Sequence, residues 1–162
     1  MPIVKKEIKL DINGISQLKK GAKEPYKVKV GVINGGDWKA GDDGITVAGY
    51  GYINEMGSIT ANIPQRSFIR SPLSLHLKED IKKYKQKYIN LIFKQRKIKE
   101  AYDLLGVNCK GIILQAFSDA NGGAWAPNSP ITIERKGSSR PLIDTGRLRK
   151  TIDFKTVKDI NA

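Results

Sequence analysis

A continuous helical pattern between residues 77 and 117 constrains the fold of this chain more than any other feature. Apolar side chains recur every three or four residues in two successive stripes, and lysines cover the other faces. The four residues between the stripes, 94–97, contain no helix breaker, so one bent helix and two consecutive helices both fit the pattern. The first stripe is Leu77, Ile81, Tyr84, Tyr88 and Leu91, and the second is Ile98, Tyr102, Leu105, Cys109, Ile112, Ala116 and Phe117.

Alternation of apolar and polar residues predicts strands on both sides of this helical region. The alternating segments are 8–12, 26–32 and 151–157, the last with the pattern of an edge strand. A short helix is predicted over 15–18. The chain thus predicts an α+β fold in which a small, mainly antiparallel sheet packs on one long or two consecutive amphipathic helices, with long irregular loops.

Helix boundaries are indicated at two further places. The pattern over 46–56 predicts a helix that ends at Gly57 in a left-handed cap. Ser71-Pro72 is expected to start the next helix, with Ser71 as the capping residue and Pro72 in the first turn. The glycine-rich segment 34–44 predicts a mobile loop.

Length and composition indicate one domain covering residues 1–162. No apolar run approaches the roughly 20 residues of a membrane span, so no membrane association is expected. The N-terminal residues show no apolar signal core, and the lone Cys109 excludes an internal disulfide framework. Synthesis in a host cytoplasm is the simplest expectation.

The formal net charge of +13 predicts attraction to polyanions such as DNA. Of the 29 basic residues, 22 are lysine and seven are arginine, whereas specific phosphate and base recognition usually relies on arginine. The lysine-rich face over 78–99 is equally typical of a solvated helix surface, and an AT-rich coding genome would also enrich lysine. If this face contacts DNA, its candidate residues are Lys82, Lys83, Lys85 and Lys87.

No catalytic, metal-binding or cofactor-binding residue is predicted. His76 has no partner placed to share a metal ion, and Cys109 falls on an apolar helix stripe, where it behaves as a small hydrophobic residue. The aspartates of 37–43 lack the spacing of a calcium loop, and the glycine-rich stretches lack the residues of a phosphate-binding loop. A small hydrolase using His76 or Cys109 stays a third alternative, testable by changing either residue alone.

Two proline-containing segments have turns too specific for random loops. In Glu55-Met56-Gly57 followed by residues 63–70, Phe68 is expected to anchor the chain to the core while Arg66 and Arg70 point outward. The second segment is 120–148, an irregular interaction segment. Its Pro127 and Pro130 exclude a central strand.

The second segment ends in a predicted helical turn. Thr145 is expected to cap this turn, directing Leu148 inward and both Arg147 and Arg149 outward.

The order of these motifs resembles the virion-morphogenesis and tail-completion proteins of long-tailed bacteriophages. The first motif is matched by Glu55, Gly57, Ile63, Pro64, Arg66, Phe68 and Arg70, and the second by Trp125, Pro127 and the Leu142-Ile143-Asp144-Thr145-Gly146-Arg147-Leu148 stretch. The similarity spans roughly residues 26–157.

The resemblance implies a non-enzymatic virion subunit of the neck or tail end. It would form a ring of identical copies, a hexamer or dodecamer, that contacts other neck and tail-tube proteins and touches packaged DNA without sequence preference. The alternative is a basic nucleic-acid-binding module that uses the lysine-rich helix. The residues expected at subunit contacts are Glu55, Arg66, Phe68, Arg70, Trp125, Pro127, Thr145 and Arg147.

Overall fold

The computed structural model of the chain describes residues 26–35, 37–39, 44–118 and 125–159. The strand predicted over 8–12 and the short helix predicted over 15–18 lie outside these residues. So does much of the predicted loop 34–44.

Strands and helices follow one another in a mixed α+β order. The small antiparallel sheet packed on consecutive helices, as predicted from the sequence, is confirmed. The elements are β1 (Tyr26–Val32), α1 (Val47–Met56), α2 (Arg70–Lys83), α3 (Lys85–Ile89), a π-helical turn (Asn90–Lys94), α4 (Ile98–Ser118), α5 (Pro130–Lys136), α6 (Arg147–Thr151) and β2 (Ile152–Lys158).

The sheet consists of β1 and β2, paired antiparallel in the register Val30↔Phe154. Alternation places the apolar side chains of both strands, except that of Val157, on one face, and this face packs on α4. The approach is close, because a Cβ added to Gly106 of α4 would lie 2.1 Å from Cδ2 of Phe154. Both strands were predicted, although β2 begins only after Thr151, which ends α6.

Two helices, α2 and α4, dominate the predicted helical region and pack against each other. The chain between them leaves regular α-helical geometry at Tyr84, in the π-helical turn and at Arg96, whose φ is +58°. In the second apolar stripe, Cys109 and Phe117 are buried, as predicted, whereas the other members are half-buried. The buried residues of α4 are Ala101, Gly106, Cys109, Ile113 and Phe117.

The core lies where α4 meets β2 and the two proline-containing segments. It is formed by the buried side chains of Phe68, Ile113, Phe117 and Ile152. Phe117 contacts the ring of Phe68 edge-on at 5.5 Å between centroids, and the ring of Trp125 at 5.4 Å. The core therefore ties segments distant in sequence to one helix, and Phe68 anchors its segment as predicted.

Helix α1 forms and ends before Gly57, as predicted. The Thr46 hydroxyl accepts a hydrogen bond from the Gly49 N–H at 3.0 Å. Gly57 has a positive φ of +76°, but its ψ of 171° is not that of the predicted left-handed cap. Among the helices of the described residues, none is long and apolar enough to cross a membrane.

Candidate interaction surface

Glu55, in the last turn of α1, directs its buried carboxylate at the N-terminus of α2. Its Oε2 accepts hydrogen bonds from the backbone N–H groups of Phe68, at 2.7 Å, and Ile69, at 2.9 Å. Its Oε1 accepts from the Arg70 N–H at 3.1 Å. The Arg70 Nε, at 3.0 Å, and the Ser67 hydroxyl, at 2.8 Å, also donate to Oε1. One side chain thus satisfies three backbone donors at the helix entrance.

This arrangement corrects the predicted start of α2. Ile69 is the residue before the helix and has no side-chain capping bond, so Ser71 is not the cap. The Ser71 N–H instead donates to the Ser67 hydroxyl at 3.1 Å. Glu55 can replace a local cap because its carboxylate has two acceptor oxygens and a full negative charge facing the positive end of the helix dipole. Pro72 lies in the first turn, as predicted.

The hydrogen bonds also set the ionisation of Glu55. Burial by itself raises the pKa of this carboxyl group, but the hydrogen bonds from Ile69, Ser67 and Arg70 outweigh burial and hold the pKa below its ordinary value of 4.5. Glu55 is therefore ionised near neutral pH, as its five donors require.

Arg66 is buried, with 8% of its surface exposed, so the prediction that it points outward is wrong. Its Nε donates to the Ala126 carbonyl and its Nη2 to the Pro127 carbonyl, each at 2.8 Å. Its Nη1 lies 3.5 Å from Oδ1 of Asn54, and its backbone N–H donates to the Asn54 carbonyl at 2.7 Å. Burial lowers the pKa of the guanidinium, which stays protonated. Arg66 therefore joins the second segment to the first by hydrogen bonds.

Trp125 adds a further bond between the two segments. Its indole Nε1 donates to the Ser67 carbonyl at 3.3 Å, while its ring packs on Phe117 in the core. The two segments singled out in the sequence therefore meet in the structure, about 60 residues apart in the chain, and are joined by Arg66, Trp125 and the core.

A short helix, α5, projects from the second segment, where the sequence indicated only irregular chain. Ser129 caps it by accepting from the Thr132 N–H at 3.3 Å, and Pro130 occupies the first turn. Gly137 ends it in the left-handed conformation, with φ 65° and ψ 19°. Asn128 is buried and donates to the carbonyls of Ser139 and Arg140, both at 3.2 Å, which closes the base of the projection. A serine-proline start and a lysine-glycine end were the available sequence signals.

The second segment ends in α6, as the predicted helical turn. Gly146, with a φ of +75°, precedes it without any side-chain capping bond, so the capping role predicted for Thr145 is wrong. Leu148 packs against the core, whereas Arg147 and Arg149 are exposed, as predicted. Arg147 Nη1 donates to the Lys39 carbonyl at 3.1 Å, which joins Lys39 of the 34–44 segment to α6.

The residues predicted at subunit contacts fall into two groups. Glu55, Arg66 and Phe68 are buried inside the subunit, and Trp125 is half-buried. These four side chains stabilise the conformation of the surface from inside the subunit. The exposed members are Arg70, Pro127, Thr145 and Arg147, and their contact with a neighbouring subunit stays a prediction.

The lysine-rich face is exposed at all four candidate positions. Lys82 pairs with Glu79 at 2.7 Å, and the Lys83 ammonium lies 5.4 Å from the centre of the Tyr84 ring. Tyr84 and Tyr88 are half-buried, in keeping with packing between helices. The Tyr88 hydroxyl accepts from Nδ2 of Asn108 at 3.1 Å, and burial raises its pKa.

His76 and Cys109 differ in their surroundings. His76 is exposed on α2, whereas Cys109 is buried in α4. Burial raises the pKa of the Cys109 thiol and so disfavours the thiolate that nucleophilic catalysis needs. Within the described part of the chain, no group of three or more His, Cys, Asp or Glu side chains could hold a metal ion.

Comparisons with models of protein families, with curated proteins and with solved structures found no match to this chain.

Proposed function

We propose that the chain is a structural, non-enzymatic subunit of a long-tailed phage virion. Copies of it would form a ring at the neck or the top of the tail, completing the tail and joining it to the DNA-filled head. Because closed rings use heterologous contacts, one surface of each copy must fit a different surface of its neighbour.

The observation that carries this proposal is the joining of the two motif-bearing segments by the buried Arg66, together with Trp125. Arg66 donates two side-chain hydrogen bonds to backbone carbonyls of the second segment, and Glu55 accepts three of its five from backbone N–H groups at the start of α2. Irregular segments of this length that are held rigid are usually functional. The same two segments carry the resemblance to tail-completion proteins, and together they line one open cleft, from Met56 and Pro64 of the first to Pro127 and Ser129 of the second.

Electron microscopy of particles assembled with this gene inactivated tests the proposal directly. We expect DNA-filled heads beside detached or overlong tails, and restoration of joined particles when the wild-type gene is supplied in trans. Normal, infectious particles in the absence of the protein would overturn the structural role.

A nucleic-acid-binding module is the second candidate, favoured by the exposure of Lys82, Lys83, Lys85 and Lys87 on one helical region and by the net charge of +13. Electrostatic attraction of this kind is sequence-independent and weakens steeply with salt. It is compatible with a ring around a DNA channel, so DNA binding alone does not separate the two functions. Particle morphology does.

A further inference from the structure

A groove of about 1040 Å³ lies between α2 and α4, open to solvent. Leu75 of α2 is 70% exposed and Val107 of α4 is 53% exposed, and both line it. Pro72, Ile112 and Ala116 extend this apolar lining. Apolar side chains exposed together along a groove are typical of a binding surface.

The groove also contains one charge of each sign. Asp80 lines it, is half-buried and forms no ion pair in the described part of the chain. Lys83, one turn further along α2, lies over the Tyr84 ring and pairs with no carboxylate among the described residues. A complementary partner would therefore present apolar side chains together with a cation for Asp80 and an anion for Lys83.

Helix α5 has these properties and buries none of its residues. Ile131 is 78% exposed, and the neighbouring Glu134 and Arg135 are exposed and form no ion pair in the described part of the chain. These residues are separated by three and four positions, so they lie on one face of the helix.

A helix of seven residues is not stable alone in water. This one is held by the Ser129 cap, by Pro130 in its first turn, by the left-handed Gly137 and by the buried amide of Asn128. The fold thus fixes the conformation of a helix whose Ile131 is left exposed by the described residues. Such a face is arranged for contact with another molecule.

We propose that α5 of one copy docks into the α2–α4 groove of the next copy. Ile131 would lie between Leu75 and Val107. Arg135 would face Asp80, and Glu134 would face Lys83. None of the residues lining the groove belongs to α5, so donor and acceptor surfaces are distinct, as a head-to-tail contact requires. This inference rests on the proposed function and names the contact that closes the ring.

Other exposed apolar elements fit the groove less well. The turn 58–63 presents Ile59, which is 100% exposed, but this turn has no charged residue. The exposed Phe93 is followed in sequence by Lys94, Arg96 and Lys97, and no acidic residue lies between 81 and 99 to pair with Lys83. Helix α5 alone among these supplies an isoleucine, an acid and a base on one face.

Charge reversal tests the contact with the full-length chain. The variants are Asp80→Arg, Arg135→Asp and the double variant, and the measurement is sedimentation velocity over a range of protein concentrations. Each single reversal should raise the concentration needed for half-assembly by about tenfold or more. The double variant, and an equimolar mixture of the two single variants, should assemble nearly as well as wild type. Glu79→Arg is the control, because it reverses an exposed charge next to Asp80 that does not line the groove.

Circular dichroism melting of every variant separates loss of contact from loss of fold. If the chain assembles and neither single reversal changes its assembly, the groove contact is wrong. It is also wrong if the double variant stays folded but does not recover assembly. Both outcomes leave the ring proposal unaffected. A wild-type chain that remains monomeric at every concentration overturns this self-contact, whereas the ring proposal is decided separately by particle morphology.

Discussion

At the scale of single residues, Glu55 and Arg66 organise the surface through opposite chemistry. The carboxylate accepts from N–H groups at a helix start, and the guanidinium donates to carbonyls of a proline-containing segment. Neither charge is neutralised by the other. Each instead satisfies backbone groups that have no secondary-structure partner, which is why these two charged side chains are buried.

Replacing Glu55 with glutamine should destabilise the fold by roughly 2–4 kcal/mol, because the new amide presents donors to backbone donors and the negative charge is lost. Urea unfolding followed by fluorescence measures the change. Glu100→Gln is the matched control, since Glu100 pairs with Lys97 on the exposed surface and such pairs contribute about 0.5 kcal/mol. Equal effects of the two substitutions would contradict the capping role.

The same carboxylate predicts acid sensitivity. The pKa of Glu55 is lower in the folded than in the unfolded chain, so its contribution to stability is fully present above pH 4.5 and is lost as pH falls through the lowered folded value. Asp103 and Asp153 also have lowered pKa values, chiefly through hydrogen bonds from Lys99 and Lys110, and act in the same direction. Unfolding free energy measured from pH 7 to pH 3 should therefore fall below pH 4.5, and less steeply in the Glu55→Gln variant. Identical slopes would assign the acid sensitivity to other groups.

Arg66→Lys should loosen the second segment. A lysine ammonium cannot reproduce the two parallel bonds to the Ala126 and Pro127 carbonyls, so we expect a loss of about 1–3 kcal/mol and faster protease cleavage near residue 126. Limited proteolysis with mass mapping detects this. Arg70→Lys is the control at an exposed position, where the backbone bonds to Glu55 persist. Unchanged cleavage in Arg66→Lys would show that Trp125 and the core suffice to hold the segment.

At the scale of secondary-structure elements, periodicity predicted the strands and helices that form from residues contiguous in sequence. The alternation of 26–32 and the helical pattern of 98–118 are properties of contiguous residues, and both elements form. The start of α2 could not be predicted in the same way, because its capping group is Glu55, 15 residues before Arg70. Likewise, the sequence near Arg66 does not indicate that the Arg66 side chain will be buried and will donate to the distant Ala126 carbonyl. Helix α5 did leave a local signal, in Ser129-Pro130 and Gly137.

Two glycines of α4 provide a matched pair for the packing of helix against sheet. Gly106→Ala should destabilise the protein, because the new Cβ would meet the Phe154 ring at 2.1 Å and force helix and strand apart, at a cost of about 1–3 kcal/mol. Gly111→Ala has no atom within 4 Å of its new Cβ and should stabilise the helix by up to about 1 kcal/mol. Thermal melting of both variants checks the opposite signs. A stabilising Gly106→Ala would contradict the register of α4 against β2.

At the scale of the whole molecule, the positive charge is spread over more than one surface. Lysines line the region of α2 and α3, and others lie on the sheet, where Lys29 and Lys155 face each other directly across the strands. Like charges in this position are unfavourable. If the protein attracts polyanions only through its net charge, the lysines of both surfaces contribute to binding. If DNA passes through a channel, mainly the lysines that line the channel contribute.

Neutralising four lysines on either surface separates the two possibilities, because each variant is the control for the other. Changing Lys82, Lys83, Lys85 and Lys87 to glutamine removes the same charge as changing Lys27, Lys29, Lys155 and Lys158, and all eight are exposed. If the helical face contacts DNA, the first variant should lower the salt dependence of duplex binding, by at most about 3.6 in the slope of log K against log salt if all four residues contact phosphates.

The sheet variant should retain most of that slope, as measured by fluorescence anisotropy with a labelled duplex at 50–300 mM salt, about the range over which such slopes are resolved. Equal losses in the two variants would indicate diffuse attraction by net charge instead of a DNA-facing surface. In the gene-inactivation assay, a variant with only Lys82, Lys85 and Lys87 changed to glutamine should still restore joined heads and tails if α5 and its groove hold the ring together, because it leaves Lys83 of that contact in place. Failure to restore them, with assembly in solution intact, would favour nucleic-acid binding as the main function.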